Sequence, residues 1–300
     1  KIYLNIGVAF FKLGKITSSI SSFEKSIEDN ANFDLTYNNL AISYLELGNY
    51  KKAMKNFIIA IKLNEKNHLA QSNLIRLFNI TRPANINTHP LLKINFKINK
   101  ISDKQKIKDF NKLENIKKLL NDSDSIIENY YKNLFLNETQ IYRKNSKNLD
   151  CKRHFKVFNK FNIIPKFCFS CYKVQINLKN IIELIKLYFV FDDINLENNN
   201  IRKCIVEIRD KIAGNYKGYV YCSSLNEAKI ISDKIGKILK DGLFIKAKIQ
   251  IKHGCSEFYE SFPEFKKINF NGNQKMRYNQ SWNDKENIID NEKPERLEAD

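Results

Sequence analysis

The clearest pattern of apolar and polar positions in this chain lies between Asp34 and Asn67. Apolar residues recur there at the spacing of an α-helix in two successive runs, and Gly48 separates the runs. Glycine adopts the left-handed backbone conformation that ends many helices at little energetic cost. The pattern therefore predicts two helices joined by a tight turn. Their apolar faces are formed by Tyr37, Leu40, Ala41 and Tyr44 and by Tyr50, Ala53, Phe57 and Ala60.

The same arrangement occurs 34 residues earlier and, for one helix only, 34 residues later. The earlier copy comprises Tyr3, Ile6, Gly7, Phe10, Gly14, Ile16, Ser19, Phe23 and Ser26, and the later one Gln71, Leu74, Ile75 and Phe78. These residues resemble the tetratricopeptide repeat, a helix–turn–helix unit. The chain departs from that family at Glu65, where proline is usual. The resemblance implies a helical solenoid over residues 1–80, made of two repeats and a closing helix.

A repeat of this kind cannot bury its apolar face without neighbours, and about three repeats are usually needed for a stable array. Lys1 already lies inside the first predicted helix. We therefore expect the array to be truncated at its N-terminus.

Three asparagines occupy one column of this array. The resemblance implies that the first helices of the repeats line a concave, peptide-binding surface. In similar arrays an asparagine in this column binds the peptide backbone, since an amide offers both a donor and an acceptor. Asparagine is common throughout this chain, so coincidence is the alternative. The predicted peptide contacts are Asn5, Asn39 and Asn73, with a floor of Leu4, Val8, Phe11, Leu35, Asn38, Ile42, Leu45 and Arg76.

A linker and capping helices occupy residues 81–150 in this interpretation. Two prolines indicate a connector over residues 81–100, and helical spacing follows from Ile101 to Asn148 with a turn at residues 121–124. We expect the two helices to cover the last apolar face of the repeats. Their apolar positions are Phe110, Leu113, Ile116, Leu119 and Leu120 before the turn, and Tyr130, Leu134 and Leu136 after it.

Residues 151–268 change from helical spacing to short alternating runs, which indicate strands. The predicted order, β-α-β-β-α-β, is that of a ferredoxin-like sandwich. The fold class is therefore α+β: a helical solenoid, a helical spacer and this sandwich. Residues 269–300 are polar and predict a disordered tail. The predicted elements are strands at 172–176, 202–209, 216–223 and 244–252, with helices at 178–194 and 225–239.

Strand alternation gives the predicted sheet two faces. The face turned to the helices is apolar and consists of Val174, Ile176, Val206, Ile208, Val220, Ala247, Ile249 and Ile251. The opposite face carries Lys173, Gln175, Lys203, Glu207, Arg209, Tyr219, Tyr221, Lys246, Lys248, Gln250 and Lys252.

The second of these faces combines tyrosines with basic residues in a chain of formal charge +18. Such rings can stack on unpaired bases while cations hold phosphates. The run KGYVY at 217–221, with Glu227, resembles part of an RNA-recognition motif and departs from it at Val220, Cys222 and Ser224. Single-stranded RNA is one candidate ligand, and a polar face turned to water is the alternative. The candidate contacts are Lys173, Arg209, Tyr219, Tyr221 and Lys248.

All six cysteines lie between Cys151 and Cys255, and with no visible secretory signal they favour a reducing compartment. The predicted topology brings five of them to one end of the sheet. A Cys-x-x-Cys pair with further ligands can hold zinc or an iron–sulfur centre. The alternative is a set of buried thiols, since parity directs Cys204 and Cys222 toward the helices. The candidate metal ligands are Cys168, Cys171, Cys222, Cys255 and His253.

The chain shows no phosphate-binding glycine loop, nucleophile elbow or HExxH motif, and no apolar run long enough to span a bilayer. The run from Lys252 to Glu257 is the densest set of reactive side chains, and an ordinary loop is its alternative. The sequence predicts a cytoplasmic interaction or scaffold protein that holds a partner peptide in the repeat groove. A metal-binding domain with a regulatory or enzymatic role, and RNA binding by the sheet, are the alternatives.

Overall fold

The computed structural model describes residues 2–78, 81, 83, 86–104, 107–130, 134, 139–143, 149–209, 214–243 and 245–291. These residues form two units. The first unit draws on residues 1–104 and 117–137, and the second on residues 105–116 and 138–292. Over the ranges given above, no helix has both the length and the apolar character that crossing a membrane requires.

The first unit begins with five helices in which each packs against the next along the chain. Gly14 and Gly48 follow the first and third helices with φ angles of 72° and 71°, so both turns use the left-handed conformation that the sequence predicted. The helices are α1 Ile2–Lys12, α2 Ile16–Asp29, α3 Asp34–Glu46, α4 Tyr50–Leu63 and α5 His68–Leu77.

Small residues allow these helices to approach closely. A Cβ atom on Gly7 would lie 2.5 Å from the ring of Phe23, which is 1% exposed. The equivalent residues of the next repeat, Ala41 and Phe57, are completely buried. The two repeats therefore bury the same pair of positions, a small residue against an aromatic ring.

Two further helices belong to the helical part of the chain: α6 Pro90–Ser102 and α7 Leu113–Tyr130. The prediction of a connector over residues 81–100 was wrong for α6. Pro90 is its first residue, and Nδ1 of His89 accepts a hydrogen bond from the backbone amide of Leu91 at 3.2 Å. Proline fits the first position of a helix because the donor that it lacks has no partner there anyway.

Helix α7 also runs unbroken through the turn predicted at residues 121–124. Oγ of Ser123 donates to the carbonyl of Leu119 at 2.7 Å, so this polar side chain stays within the helix. Ile126 and Ile127 then pack against the same apolar core as the repeats, as do Leu91 and Leu92 of α6. Leu134 joins this core, whereas Leu136 and the side chain of Tyr130 lie outside the described residues.

The second unit contains a five-stranded antiparallel sheet in the order β1-β3-β4-β2-β5. Its last four strands and two helices have the predicted order β-α-β-β-α-β. The edge strand β1, paired with β3, lies in a segment predicted to be helical and depends on this long-range pairing. The elements are β1 Gln140–Arg143, α8 Cys151–Phe161, β2 Tyr172–Leu178, α9 Ile181–Asp193, β3 Arg202–Val206, β4 Tyr216–Cys222, α10 Leu225–Lys237 and β5 Lys248–His253.

Helices α9 and α10 cover the apolar face of the sheet. Of the residues predicted on that face, all but one belong to this core or pack against it. The exception is Ile208, which is 71% exposed because β3 ends at Val206. A Cβ atom on Gly218 would lie 2.2 Å from Cδ2 of Leu187, so β4 needs a glycine where α9 crosses it.

The polar segment predicted as a disordered tail from residue 269 is folded over residues 269–291, where α12 spans Asn283–Asn291. Ile289 packs with Val157 of α8. Arg153 of α8 forms ion pairs with Glu286 and with Asp290 of α12. Met276, Trp282 and these charged contacts hold a segment whose polar composition suggested disorder. The short helix α11 spans Pro263–Lys266, and residues 292–300 lie outside the described part.

Candidate functional site

The predicted asparagine column lies on α1, α3 and α5. Asn5 is exposed, and Asn39 and Asn73 are half-buried. Nδ2 of Asn73 donates to Oδ1 of Asn38 at 3.1 Å, and Nδ2 of Asn38 donates to Oδ1 of Asn39 at 3.4 Å. A row of side-chain amides therefore connects α5 to α3.

Part of the hydrogen-bonding capacity of this row is unused. Among the described residues, the side chain of Asn5 makes no hydrogen bond, and the side-chain amide nitrogen of Asn39 donates none. Asn73 is more fully engaged, because its Oδ1 also accepts from Nη1 of Arg76 at 3.5 Å. Asn5 and Asn39 can thus offer polar atoms to a ligand without losing a bond within the protein.

The residues predicted as a floor divide into two groups. Leu4 and Asn38 are only 9% and 3% exposed, so they support the surface and offer a ligand little contact area. The others are half-buried or exposed, and they surround the asparagines with apolar side chains and one cation. We call the accessible set the repeat surface: Asn5, Val8, Phe11, Leu35, Asn39, Ile42, Leu45, Asn73 and Arg76.

The predicted metal site is not formed. Within the described residues, which include all the proposed ligands, no three His, Cys, Asp or Glu side chains come together in a way that could hold a metal ion. Cys222 packs in the core between sheet and helices and is 5% exposed. The parity argument that directed Cys204 and Cys222 toward the helices was therefore correct.

His253 is held by other contacts. Its ring stacks between Tyr172, at 4.6 Å, and Phe265, at 4.1 Å between ring centroids. Nδ1 lies 2.9 Å from the carbonyl oxygen of Phe265, and Nε2 lies 3.0 Å from that of Phe169. Burial lowers the pKa of His253, although the two carbonyl contacts oppose that shift. Each ring nitrogen faces a carbonyl oxygen and the ring lies between two aromatic rings, so neither nitrogen is open to a metal ion.

The remaining predicted ligands still lie together, in a different arrangement. Cys168, Cys171 and Cys255 line a small cavity with Cys151 and Lys173. Nζ of Lys173 donates a hydrogen bond to Sγ of Cys255 at 3.1 Å. A lysine cation thus lies beside the thiol that the metal hypothesis required as a ligand.

Sequence reasoning missed Cys151 and Lys173 at this site. Cys171 and Gly254 are joined by a backbone hydrogen bond of 2.7 Å between neighbouring strands, which brings Lys173 and Cys255 together. A prediction that β2 pairs with β5 in this register would have revealed the contact between Lys173 and Cys255. Cys151 lies on α8, and its spacing from the other cysteines contains no comparable signal.

The tyrosines proposed to bind RNA are covered by the protein's own lysines. Nζ of Lys173 lies 5.3 Å from the ring centroid of Tyr221, and Nζ of Lys203 lies 5.8 Å from those of Tyr219 and Tyr221. Burial and the charge of Lys173 lower the pKa of Lys203 to about 8. These rings already contact cations, which reduces the aromatic surface left for bases.

Other parts of the same sheet face are also engaged within the protein. Lys217 is 1% exposed and lies 3.9 Å from a carboxylate oxygen of Glu207. Arg209 pairs with Glu207 at 2.8 Å, while Lys248 is exposed. The glycine of the KGYVY run is explained by the contact between Gly218 and α9.

Comparison with known families agrees with the geometry of the first unit. Two family models, both described as tetratricopeptide repeat, match residues 1–32 and 22–55. The N-terminal segment is therefore a tetratricopeptide repeat segment. No curated protein matches the chain. Repeats of this type support a role in protein–protein interaction or scaffolding, because stacked repeats present extended binding surfaces.

Proposed function

We propose that the repeat surface binds an extended peptide segment of a protein partner, so that the chain acts as an interaction or scaffold protein. The observation that carries the proposal is the asparagine column with unused hydrogen-bonding capacity at Asn5 and Asn39. An extended peptide exposes an amide and a carbonyl at each residue, and a side-chain amide can pair with both.

The surroundings of the column support the same ligand. Within the repeat surface Leu35 is 41% exposed, and Phe11, Ile42 and Leu45 are half-buried. Peptide side chains gain about 25 cal/mol for each Å² of apolar surface that they cover here. The amides would hold the peptide backbone, and the apolar residues would select its side chains.

The experiment is a selection from a random-sequence peptide display library, followed by anisotropy titration of a selected synthetic peptide. A hydrogen bond contributes about 0.5–1.5 kcal/mol, so Asn39→Ala should weaken binding roughly threefold to tenfold. The variant should keep the circular dichroism spectrum of the unaltered protein.

Asn32→Ala is the matched control, because Asn32 is an exposed asparagine of the same segment outside the column. Binding by this variant should be unchanged. Equal affinities for Asn39→Ala and Asn32→Ala would overturn the proposed role of the column. Failure to select any peptide against the intact chain would overturn peptide binding itself.

A further inference from the structure

Four of the six cysteines surround one small cavity in the second unit, although they come from three separate parts of the chain. Cys151 begins α8, Cys168 and Cys171 precede β2, and Cys255 follows β5. Lys173 of β2 lies in the wall of the same cavity. The proposed peptide binding involves none of these residues.

The four thiols differ in accessibility. Cys168 and Cys171 are 4% and 9% exposed, whereas Cys151 and Cys255 are half-buried. Burial raises the pKa of Cys168, and burial raises the pKa of Cys171 to about 11. Because the thiolate is the nucleophile, these two buried cysteines are held in their unreactive form.

Cys255 has a different environment. Nζ of Lys173 donates to its sulfur at 3.1 Å and lies 5.3 Å from the ring centroid of Tyr221. Burial alone would lower the pKa of Lys173, but Cys255, Tyr221 and Cys171 together raise it. The net shift of this pKa is upward, and the ammonium group is in contact with the sulfur of Cys255. A cation in contact with sulfur stabilises the negative charge that a nucleophilic thiol develops.

We propose that Cys255 is a peroxide-reactive thiol and that Cys151 converts its oxidised form to a disulfide. The sulfur of Cys255 attacks one peroxide oxygen; an S–O bond forms, the O–O bond breaks, and the departing hydroxide takes a proton to become water. The sulfur of Cys151 then attacks the sulfenic sulfur; an S–S bond forms, and the hydroxyl group leaves as a second water. The two sulfurs lose two electrons, which reduce the peroxide.

Cys151 is the partner that accessibility favours. It is the other half-buried thiol that lines the cavity with Cys255. Cys168 also lines the cavity and belongs to the aromatic core against which Cys255 packs, but it is only 4% exposed. The reaction is a redox modification of the protein, and a thiol reductant reverses it.

The experiment treats the reduced full chain with hydrogen peroxide at one equivalent and analyses it by intact mass and peptide mapping. We expect a loss of about 2 Da and a Cys151–Cys255 linkage, both reversed by reductant. Cys151→Ser should instead accumulate a sulfenic acid at Cys255 that dimedone labels. Cys204→Ala removes a thiol of the opposite sheet face and should still form the linkage.

The role of Lys173 is tested by the rate of Cys255 alkylation with iodoacetamide across pH. Lys173→Met should slow labelling at neutral pH by roughly tenfold, whereas Lys173→Arg should retain most of the rate. Equal oxidation of Cys255→Ser and the unaltered chain would overturn the proposal. So would a peptide map of the unaltered chain that joins other cysteines.

Discussion

The two units of this protein differ in how far apart in the sequence their contacting residues lie. In the repeats, each helix packs on its neighbours along the chain, and the same positions are buried every 34 residues. In the second unit, the important contacts join distant positions: Lys173 and Cys255 are 82 residues apart, and Arg153 and Glu286 are 133 apart. In the first unit the same surface positions recur from repeat to repeat. A site in the second unit is formed by contacts that occur only once.

The largest expected effect concerns α12, the most distant partner in the second unit. Ile289 is 7% exposed and packs on α8, so Ile289→Ala should cost roughly 2–4 kcal/mol of the free energy of unfolding. The measurement is denaturant unfolding followed by the fluorescence of Trp282, which packs in the same cluster.

Ile288→Ala provides the control for this prediction, since Ile288 is adjacent and 48% exposed. Its effect should stay within about 0.5 kcal/mol. Equal and small effects of both substitutions would show that α12 contributes nothing to stability. The contact between α12 and α8 would then no longer distinguish the second unit from the repeats.

The next effect compares close contacts at a glycine in the two units. Gly218→Ala places a Cβ atom 2.2 Å from Leu187, which should cost about 1–3 kcal/mol. Gly7→Ala should cost less, because alanine gains about 1 kcal/mol over glycine inside a helix and the next repeat already has Ala41 at this position.

Gly236→Ala is the matched control in the second unit, because the added Cβ atom would lie an ordinary 3.6 Å from Ile249. Within α10 this substitution should raise the melting temperature slightly. If Gly7→Ala destabilises as much as Gly218→Ala, the repeats are as intolerant of a changed contact as the sheet.

The last effect is a pH dependence of the first unit. Burial, followed by the charge of Lys62, lowers the pKa of His89 to about 4. The unfolded chain binds this proton more readily, so the contribution is complete above about pH 6.5 and is lost as pH falls toward 4. Asn is also a good capping residue. His89→Asn should therefore make the melting temperature depend less on pH between these values. An unchanged pH dependence would contradict the role assigned to His89.

Local patterns made the repeats predictable. Helix spacing and the two turn glycines identified α1 to α5 because each pattern reports a contact with a sequence neighbour. The wrong predictions concern segments that tertiary packing stabilises. Ile126 and Ile127 pack on the repeat core, and α7 continues through a polar run that resembles a turn. Ile289 packs on α8 and holds a segment whose composition indicates disorder. The local sequence does not show which residues Ile126 and Ile127, or Ile289, pack against.

The sites follow the same division. The asparagine column could be predicted because its members lie at one repeat spacing. Five cysteines were expected to share one end of the sheet, and three of these, Cys168, Cys171 and Cys255, share a cavity with Cys151. Their chemistry was missed because Lys173 reaches Cys255 only through the pairing of β2 with β5, and Cys222 turns to the other face of the sheet.

The hydrogen bonds of Asn38 give the repeat surface a direction. Its Oδ1 accepts from Asn73 and its Nδ2 donates to Asn39, so rotating this one planar amide by half a turn would break both bonds. Donation along the row therefore runs one way, from α5 to α3. A peptide backbone also has a direction, since its N- and C-termini differ. If the repeat surface binds a peptide as proposed, this asymmetric row of amides would distinguish the two orientations of that peptide along the array.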